Sequence, residues 1–186
     1  EVRDGLVNGL ALGKSVLNMF SYTAAFSVAA AMGGAVETTS VDLAKRSREL
    51  STAHFEANGF SMGNHRLVVM DVFDYFKYAK KKGLSYDLIV IDPPSFARNK
   101  KRTFSANKDY HKLIAQSLDI LSEHGTIIAS TNAANMTVQQ FKKQLRKGLG
   151  DVSADFVNLQ QLPADFTVNP NDPTSNYLKV YTIKGK

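Results

Sequence analysis

The chain has 186 residues, 44% of them hydrophobic, with 23 Lys and Arg against 17 Asp and Glu and hence a net charge of +6. It contains no cysteine, which removes disulfides, thiolate metal sites and thiol nucleophiles together. No apolar run of about 18 residues is present to span a bilayer, and no secretory signal pattern stands at the start.

The size suits one domain around a single core, residues 1–186. The first residue is Glu1 rather than Met, so a longer parent protein with an upstream region is expected. A cytoplasmic location is the expectation, and the positive balance favours an anionic partner such as nucleic acid.

In chain order, Ser15 to Phe20 reads as a first strand, and Ala24 to Met32 as a small-residue helix ended by Gly33 and Gly34. Thr38 to Val41 is a second strand stopping at Asp42, and Leu43 to Asn58 a helix closed by Gly59. Arg66 to Met70 is a third strand stopping at Asp71, followed by a helix from Val72 to Lys82 that ends at Gly83. Tyr86 to Ile91 is a fourth strand and Tyr110 to Leu121 a helix. Thr126 to Thr131 is a fifth strand and Thr137 to Leu149 a helix. Ala154 to Gln161 and Leu178 to Ile183 are late strands with no helical pattern between them. The Pro-rich stretch from Pro163 to Ser175 reads as a loop. Strand–helix alternation predicts a three-layer α/β sandwich, and the helix-free final pair predicts an antiparallel pairing at one end of a mostly parallel sheet.

The fourth strand carries the most information. Leu88 to Ile91 lack polar alternation, so the strand is expected to be buried on both faces. Pro93 and Pro94 have no N–H for a ladder and stop it abruptly. Asp92 and the rigid Pro93 carbonyl are then held at the carboxyl end of a central strand, the edge where open α/β sheets bind ligands. Asp42 and Asp71 end strands in the same way. If the strands are parallel, all three carboxylates collect on one rim. Such acids also cap the helices that follow, but three of them, with Pro-Pro after the last, favour a ligand offering hydroxyls and amines. An acid just past the second strand is the usual partner of a ribose diol.

The first strand-to-helix turn runs from Asn18 to Ser27 without the spaced glycines that a pyrophosphate requires. Ser21, Tyr22 and Thr23 offer hydroxyls and backbone N–H groups instead. A cofactor with an adenosine end and an amino-acid end, such as S-adenosylmethionine, suits this turn. Scattered His54, His65, His111 and His124 show no metal-ligand spacing, and no metal is expected; His111 alone lies near the presumed substrate mouth. Lys142, Lys143, Arg146 and Lys147 read as a solvated helix face.

Val16 to Thr23, Ser40-Val41-Asp42 and Asp92-Pro93-Pro94-Ser95-Phe96 with its basic tail together resemble class I S-adenosylmethionine-dependent methyltransferases. More narrowly, the chain is similar to bacterial large-subunit ribosomal RNA methyltransferases of the cytosine-C5 and guanine-N7 type, over essentially its whole length. The resemblance implies a Rossmann-like fold with a mostly parallel seven-stranded sheet and an antiparallel last strand. It also implies an RNA-binding region upstream. It places Asn18, Phe20, Tyr22 and Thr23 at the methionine end of the cofactor and Asp42 on the ribose. Leu43 would lie over the adenine, Asp71 on its amine and Val72 N–H on its ring. Asp92 and Pro93 would stand beside the sulfonium and the target base.

Members that methylate cytosine C5 attack the base with a cysteine after the fifth strand. Here that region reads Ala129-Ser130-Thr131-Asn132-Ala133-Ala134-Asn135. Cytosine C5 is not nucleophilic until a thiolate adds to C6, so a base nitrogen of ribosomal RNA is the expected target. In this reading Asp92, Pro93 and Phe96 form the catalytic rim, with Phe96 stacking on an unstacked base. Asn132 or Asn135 reads another base edge, and Arg98, Lys100, Lys101 and Arg102 grip phosphates, with Lys108 joining them if the loop folds back. Three other readings compete: an amino-group methyltransferase acting on adenine N6 or guanine N2, a nucleotide-dependent dehydrogenase, and a non-catalytic RNA-binding or ribosome-assembly module.

Overall fold

A computed structural model describes residues 2–152, 154–160 and 178–185. The chain enters through α1 (Val2–Leu10), β1 (Ser15–Met19) and α2 (Ala25–Met32), then β2 (Glu37–Asp42), α3 (Lys45–Ala57) and β3 (His65–Val69). α4 (Val72–Lys82) and β4 (Tyr86–Ile91) follow, then a short hairpin of β5 (Phe96–Arg98) and β6 (Thr103–Ser105). α5 (Ala106–Leu118), β7 (Leu121–Thr131), α6 (Val138–Leu149), β8 (Ala154–Gln160) and β9 (Lys179–Gly185) complete it.

Among the described residues, seven strands make one sheet in the order β3-β2-β1-β4-β7-β9-β8. β1, β2, β3, β4 and β7 run parallel, with Met19 level with both Val41 and Ile91. β9 lies antiparallel between β7 and β8, so the helix-free ending yields the expected antiparallel pair. The predicted Pro163–Ser175 loop lies outside the described residues.

The strand alternation sorts the core. Leu17, Met19, Ile89, Ile91, Ile127 and Ala129 face α4, α5 and α6, with Phe76, Tyr110, Leu113 and Phe141 packed on them. Val16, Leu88, Val90 and Ile128 face α1 and α2. This is what a period of two demands when both faces are covered. α3 closes against α2 through Phe55, Val28 and Ala31.

Several elements depart from the sequence reading, among them β7, which begins at Leu121 rather than Thr126. α1 lay in a segment given no element, because Gly5 and Gly9 interrupt its pattern. It packs so closely on α2 that a Cβ at Gly33 would overlap the Asn8 carbonyl, so Gly33 serves that approach as well as the helix end. The basic tail after Pro94 is a hairpin rather than a plain loop, and α5 begins at Ala106 rather than Tyr110.

Candidate active site

The parallel strands bring Asp42, Asp71 and Asp92 to the same edge of the sheet. All three line one cavity of about 450 Å³, together with Phe20, Tyr22, Leu43, Val72, Pro94, Ala97, Arg98 and Asn99. That volume falls in the range of roughly 300–1,000 Å³ usual for small-molecule sites. A second hollow of about 380 Å³ adjoins it and shares Leu43, Asp71 and Asn99.

One wall is the loop after β1. Phe20, Tyr22 and Ala24 take left-handed φ values of 61°, 46° and 60°, a conformation costing non-glycine residues on the order of 1–3 kcal/mol each. The surroundings hold them there. Ser21 N–H donates to the Val41 carbonyl, Ser51 Oγ to the Tyr22 carbonyl at 3.1 Å, and His54 Nδ1 lies 3.1 Å from the Thr23 carbonyl. In return, Tyr22 N–H reaches Asp42 Oδ2 at 3.0 Å. Ala44 N–H donates to Asp42 Oδ1 at 3.0 Å. Each Asp42 oxygen thus has one backbone donor and keeps acceptor capacity toward the cavity.

Asp71 both caps a helix and lines the site. Its Oδ1 accepts from Phe73 N–H at 2.9 Å and Asp74 N–H at 3.1 Å. Arg102 Nη1 lies 3.3 Å from the same oxygen. Oδ2 accepts from Asn99 Nδ2 at 2.8 Å. Oδ2 therefore keeps room for one further donor, and Val72 N–H heads α4 with no intrahelical acceptor.

Asp92 follows β4. Arg3 Nη1 from α1 pairs with its Oδ1 at 2.8 Å, and Ser130 Oγ on β7 donates to the same oxygen at 2.6 Å. Arg3 also lies over the Phe26 ring at 5.3 Å. Beneath, the fully buried Tyr110 hydroxyl donates to the carbonyls of Ser130 at 2.7 Å and Ile91 at 3.2 Å, tying the ends of β7 and β4 together. Burial, with the Asp92 charge nearby, pushes the Tyr110 phenol well above its ordinary range, so it stays a donor.

The β5–β6 hairpin forms the outer wall. Phe104 packs between Phe20 and Phe73, with ring centroids 6.2 and 6.1 Å away. Asn99 Oδ1 accepts from the N–H groups of Lys101 and Arg102 at 2.8 and 3.1 Å, which aims its amide at Asp71. Lys101 Nζ reaches Asp74 at 2.7 Å and Arg102 Nη2 reaches it at 2.9 Å. The Lys101 hydrogen bond, opposed by burial and helped by the Arg102 charge, holds the Asp74 carboxyl below its usual range.

Of the residues assigned to the cofactor from sequence, Phe20, Tyr22, Asp42, Leu43, Asp71, Val72 and Asp92 line the cavity. Asn18 and Thr23 do not. Asn18 is fully buried under the loop, its Nδ2 bonded to Ser27 Oγ at 3.1 Å and its Oδ1 without a partner. Pro93 is buried, and Pro94 takes the lining position beside Asp92. Phe96 is 60% exposed, so it does not anchor the loop in the core. Arg98, Lys100 and Lys108 are exposed, as are Asn132 and Asn135, whereas Lys101 and Arg102 are engaged by acids of α4 and its cap. His111 is bound to Gln144 through its ring and its backbone N–H, away from the cavity.

Sequence reasoning passed over Arg3, Asn99, Tyr110 and Ser130. Nothing in the sequence joins Arg3 to Asp92 across 89 positions. Asn99 did have a signal, since an Asn heading a short turn between Phe96-Ala97-Arg98 and Thr103-Phe104-Ser105 is a hairpin pattern. Among the described residues no group of three metal-ligating side chains gathers, and no helix is long and apolar enough to cross a membrane.

The family of S-adenosylmethionine-dependent methyltransferases matches residues 2–179. YwbD of Bacillus subtilis (strain 168), which bears the name of a ribosomal RNA large subunit methyltransferase, is 46% identical over 188 residues, covering all of this chain and 48% of its own length. Ribosomal RNA large subunit methyltransferase K of Neisseria meningitidis serogroup B (strain ATCC BAA-335 / MC58) is 35% identical over 162 residues, 86% of this chain and 44% of that protein. Among solved structures, the methyltransferase SMU.776 complexed with SAH superposes with a TM-score of 0.91 at 72% identity, over 98% of this chain and 48% of that one. The chain thus spans about half the length of the relatives it matches. With this family match over nearly the whole chain and this degree of likeness, the chain belongs to the S-adenosylmethionine-dependent methyltransferases.

Proposed function

We propose that this protein transfers a methyl group from S-adenosylmethionine to a base nitrogen of ribosomal RNA, without a covalent enzyme–base intermediate. The observation that carries the reading is the single cavity ringed by Asp42, Asp71 and Asp92, with exposed Phe96 and Arg98 beside it.

The residues suit the cofactor. Asp42 offers two acceptor oxygens to a ribose diol. Asp71 Oδ2 and the Val72 N–H offer an acceptor and a donor side by side for the adenine edge, and Leu43 supplies apolar cover. The cofactor supplies a methyl group on a positively charged sulfur. Asp92, held by Arg3 and Ser130, faces the same space and favours positive charge there. It also accepts from an exocyclic amine of the base. Phe96 stacks on the base and holds its lone pair in line, so alignment and electrostatics carry the catalysis. The nitrogen target is supported by the lack of any cysteine. An RNA substrate is supported by the names of the relatives.

Calorimetry with S-adenosylmethionine tests the cofactor assignment. The wild type binds, and Asp42→Ala loses at least about tenfold, roughly 1.4 kcal/mol, as expected for a charged acceptor. Unchanged affinity removes the ribose assignment. For the target, ribosomal RNA methylated by the protein is digested to nucleosides and analysed by mass spectrometry. A ring-nitrogen product is expected; 5-methylcytidine overturns the noncovalent route, and N6-methyladenosine or N2-methylguanosine moves the reading to amino-group transfer.

A further inference from the structure

We propose that the groove between α5 and α6 is a second RNA-binding surface, which takes the phosphates of the strand whose base enters the active site. This rests on the RNA reading above. The groove, about 710 Å³, is lined by Asn107, Gln140, Lys143, Gln144, Arg146 and Lys147. Every one of these side chains carries N–H donors, and none is a carboxylate or a hydrocarbon. Such a lining, rich in donors and without a carboxylate, suits phosphate oxygens.

The groove is built rather than incidental. Gln144 Oε1 accepts from His111 N–H at 3.0 Å while its Nε2 donates to the Asn107 carbonyl at 2.9 Å. Gly148 lets the helices meet closely, since a Cβ there would press on Ile114 and the His111 carbonyl. The Thr137–Gln140 capping box fixes where α6 starts.

Its position and charge point the same way. Asn107 Nδ2 donates to the Asn135 carbonyl at 3.3 Å, so one end of the groove abuts the loop after β7 on the rim of the sheet. α6 carries four basic residues and no acid. Complementing the helix dipole explains Arg146 and Lys147 in the last turn, but not Lys142 and Lys143 in the middle. Lys143 and Lys147 are exposed and one helical turn apart, about 6 Å along the axis. At the hairpin, Lys101 and Arg102 are paired with Asp74 and Asp71. Electrostatic affinity for RNA follows the number of phosphates neutralised, and Arg98 and Lys100 alone supply few.

The test is fluorescence anisotropy with a labelled single-stranded RNA oligonucleotide over a salt series. It compares the wild type, Lys143→Glu/Lys147→Glu and Arg98→Glu/Lys100→Glu. Circular dichroism and a thermal melt confirm that each variant is folded. The groove variant should bind RNA at least about tenfold more weakly, with a log–log salt slope shallower by about 1–2, as losing two phosphate contacts requires. It should bind S-adenosylhomocysteine as the wild type does. If the groove variant keeps wild-type affinity and slope while the hairpin variant loses binding, the groove proposal is wrong and the RNA reading stands. If the wild type itself does not bind RNA, both fall.

Discussion

Tyr22 shows how one residue is sacrificed to the site. Its φ of 46° is unfavourable for a tyrosine, and its side chain is 65% exposed, so packing gives little back. What it delivers is its N–H to Asp42. Glycine tolerates this backbone at no steric cost, although it loses more entropy on folding. Tyr22→Gly is therefore expected to stabilise the protein by about 0.5–1 kcal/mol, raising Tm by about 1–4 °C in a thermal melt. Cofactor affinity should fall in the same variant, because a flexible loop presents the Asp42 contact less rigidly. At this scale the acids were legible, since each ends an apolar run. Asn18 and Thr23 stand outside the cavity lining, because side-chain direction in a left-handed turn does not follow from residue order. Their neighbours Phe20 and Tyr22 reach the cavity, while Asn18 points into the buried Ser27–Ser40 pair.

Among the elements, β4 and β7 act as a unit because Tyr110 from α5 bonds both of their ends. Tyr110→Phe keeps the ring against Phe141 but removes the donor under two buried carbonyls. The expected loss is about 1–3 kcal/mol in urea unfolding. Asp92 and the loop bearing Asn132 leave from those strand ends, so the methyl transfer proposed above should slow as well, while the cofactor binding proposed for Asp42 changes less. Most elements could be read from sequence: buried runs made strands, and Gly59 and Gly83 closed helices at φ of 81° and 69°. α1 could not, because two glycines hide a helix that is held by packing on α2 and the sheet. The hairpin was obscured by its own basic run, which read as a phosphate-gripping tail, while Phe104 on its second strand is buried.

Over the whole molecule, proton binding should set the acid limit of stability. Burial raises Asp87, but the Ser15 N–H and the Ser122 and Ser15 hydroxyls outweigh it and hold the carboxyl below its ordinary range. Asp109 is likewise raised by burial and lowered more by Ser105 N–H and Lys112. His65, stacked on Phe55 at 4.6 Å, is lowered by burial. In all three the unfolded chain binds protons more readily than the folded one, so stability rises with pH. The contribution of His65 is complete above about pH 6.5 and that of the acids above about pH 4; each is lost as the pH falls through the lower folded value. Urea midpoints should therefore drop in two steps between pH 7 and pH 3, and Asp87→Asn should shrink the second.

Asp74 has a consequence reaching beyond its own helix. Four cations follow the Asp-Pro-Pro turn in the sequence, but this one carboxylate, aided by Asp71, detains Lys101 and Arg102. The mouth of the cavity thus offers less uncompensated positive charge than its composition suggests. Neutralising Asp74 would release Lys101 at the threshold of the cavity and leave Arg102 on Asp71 alone.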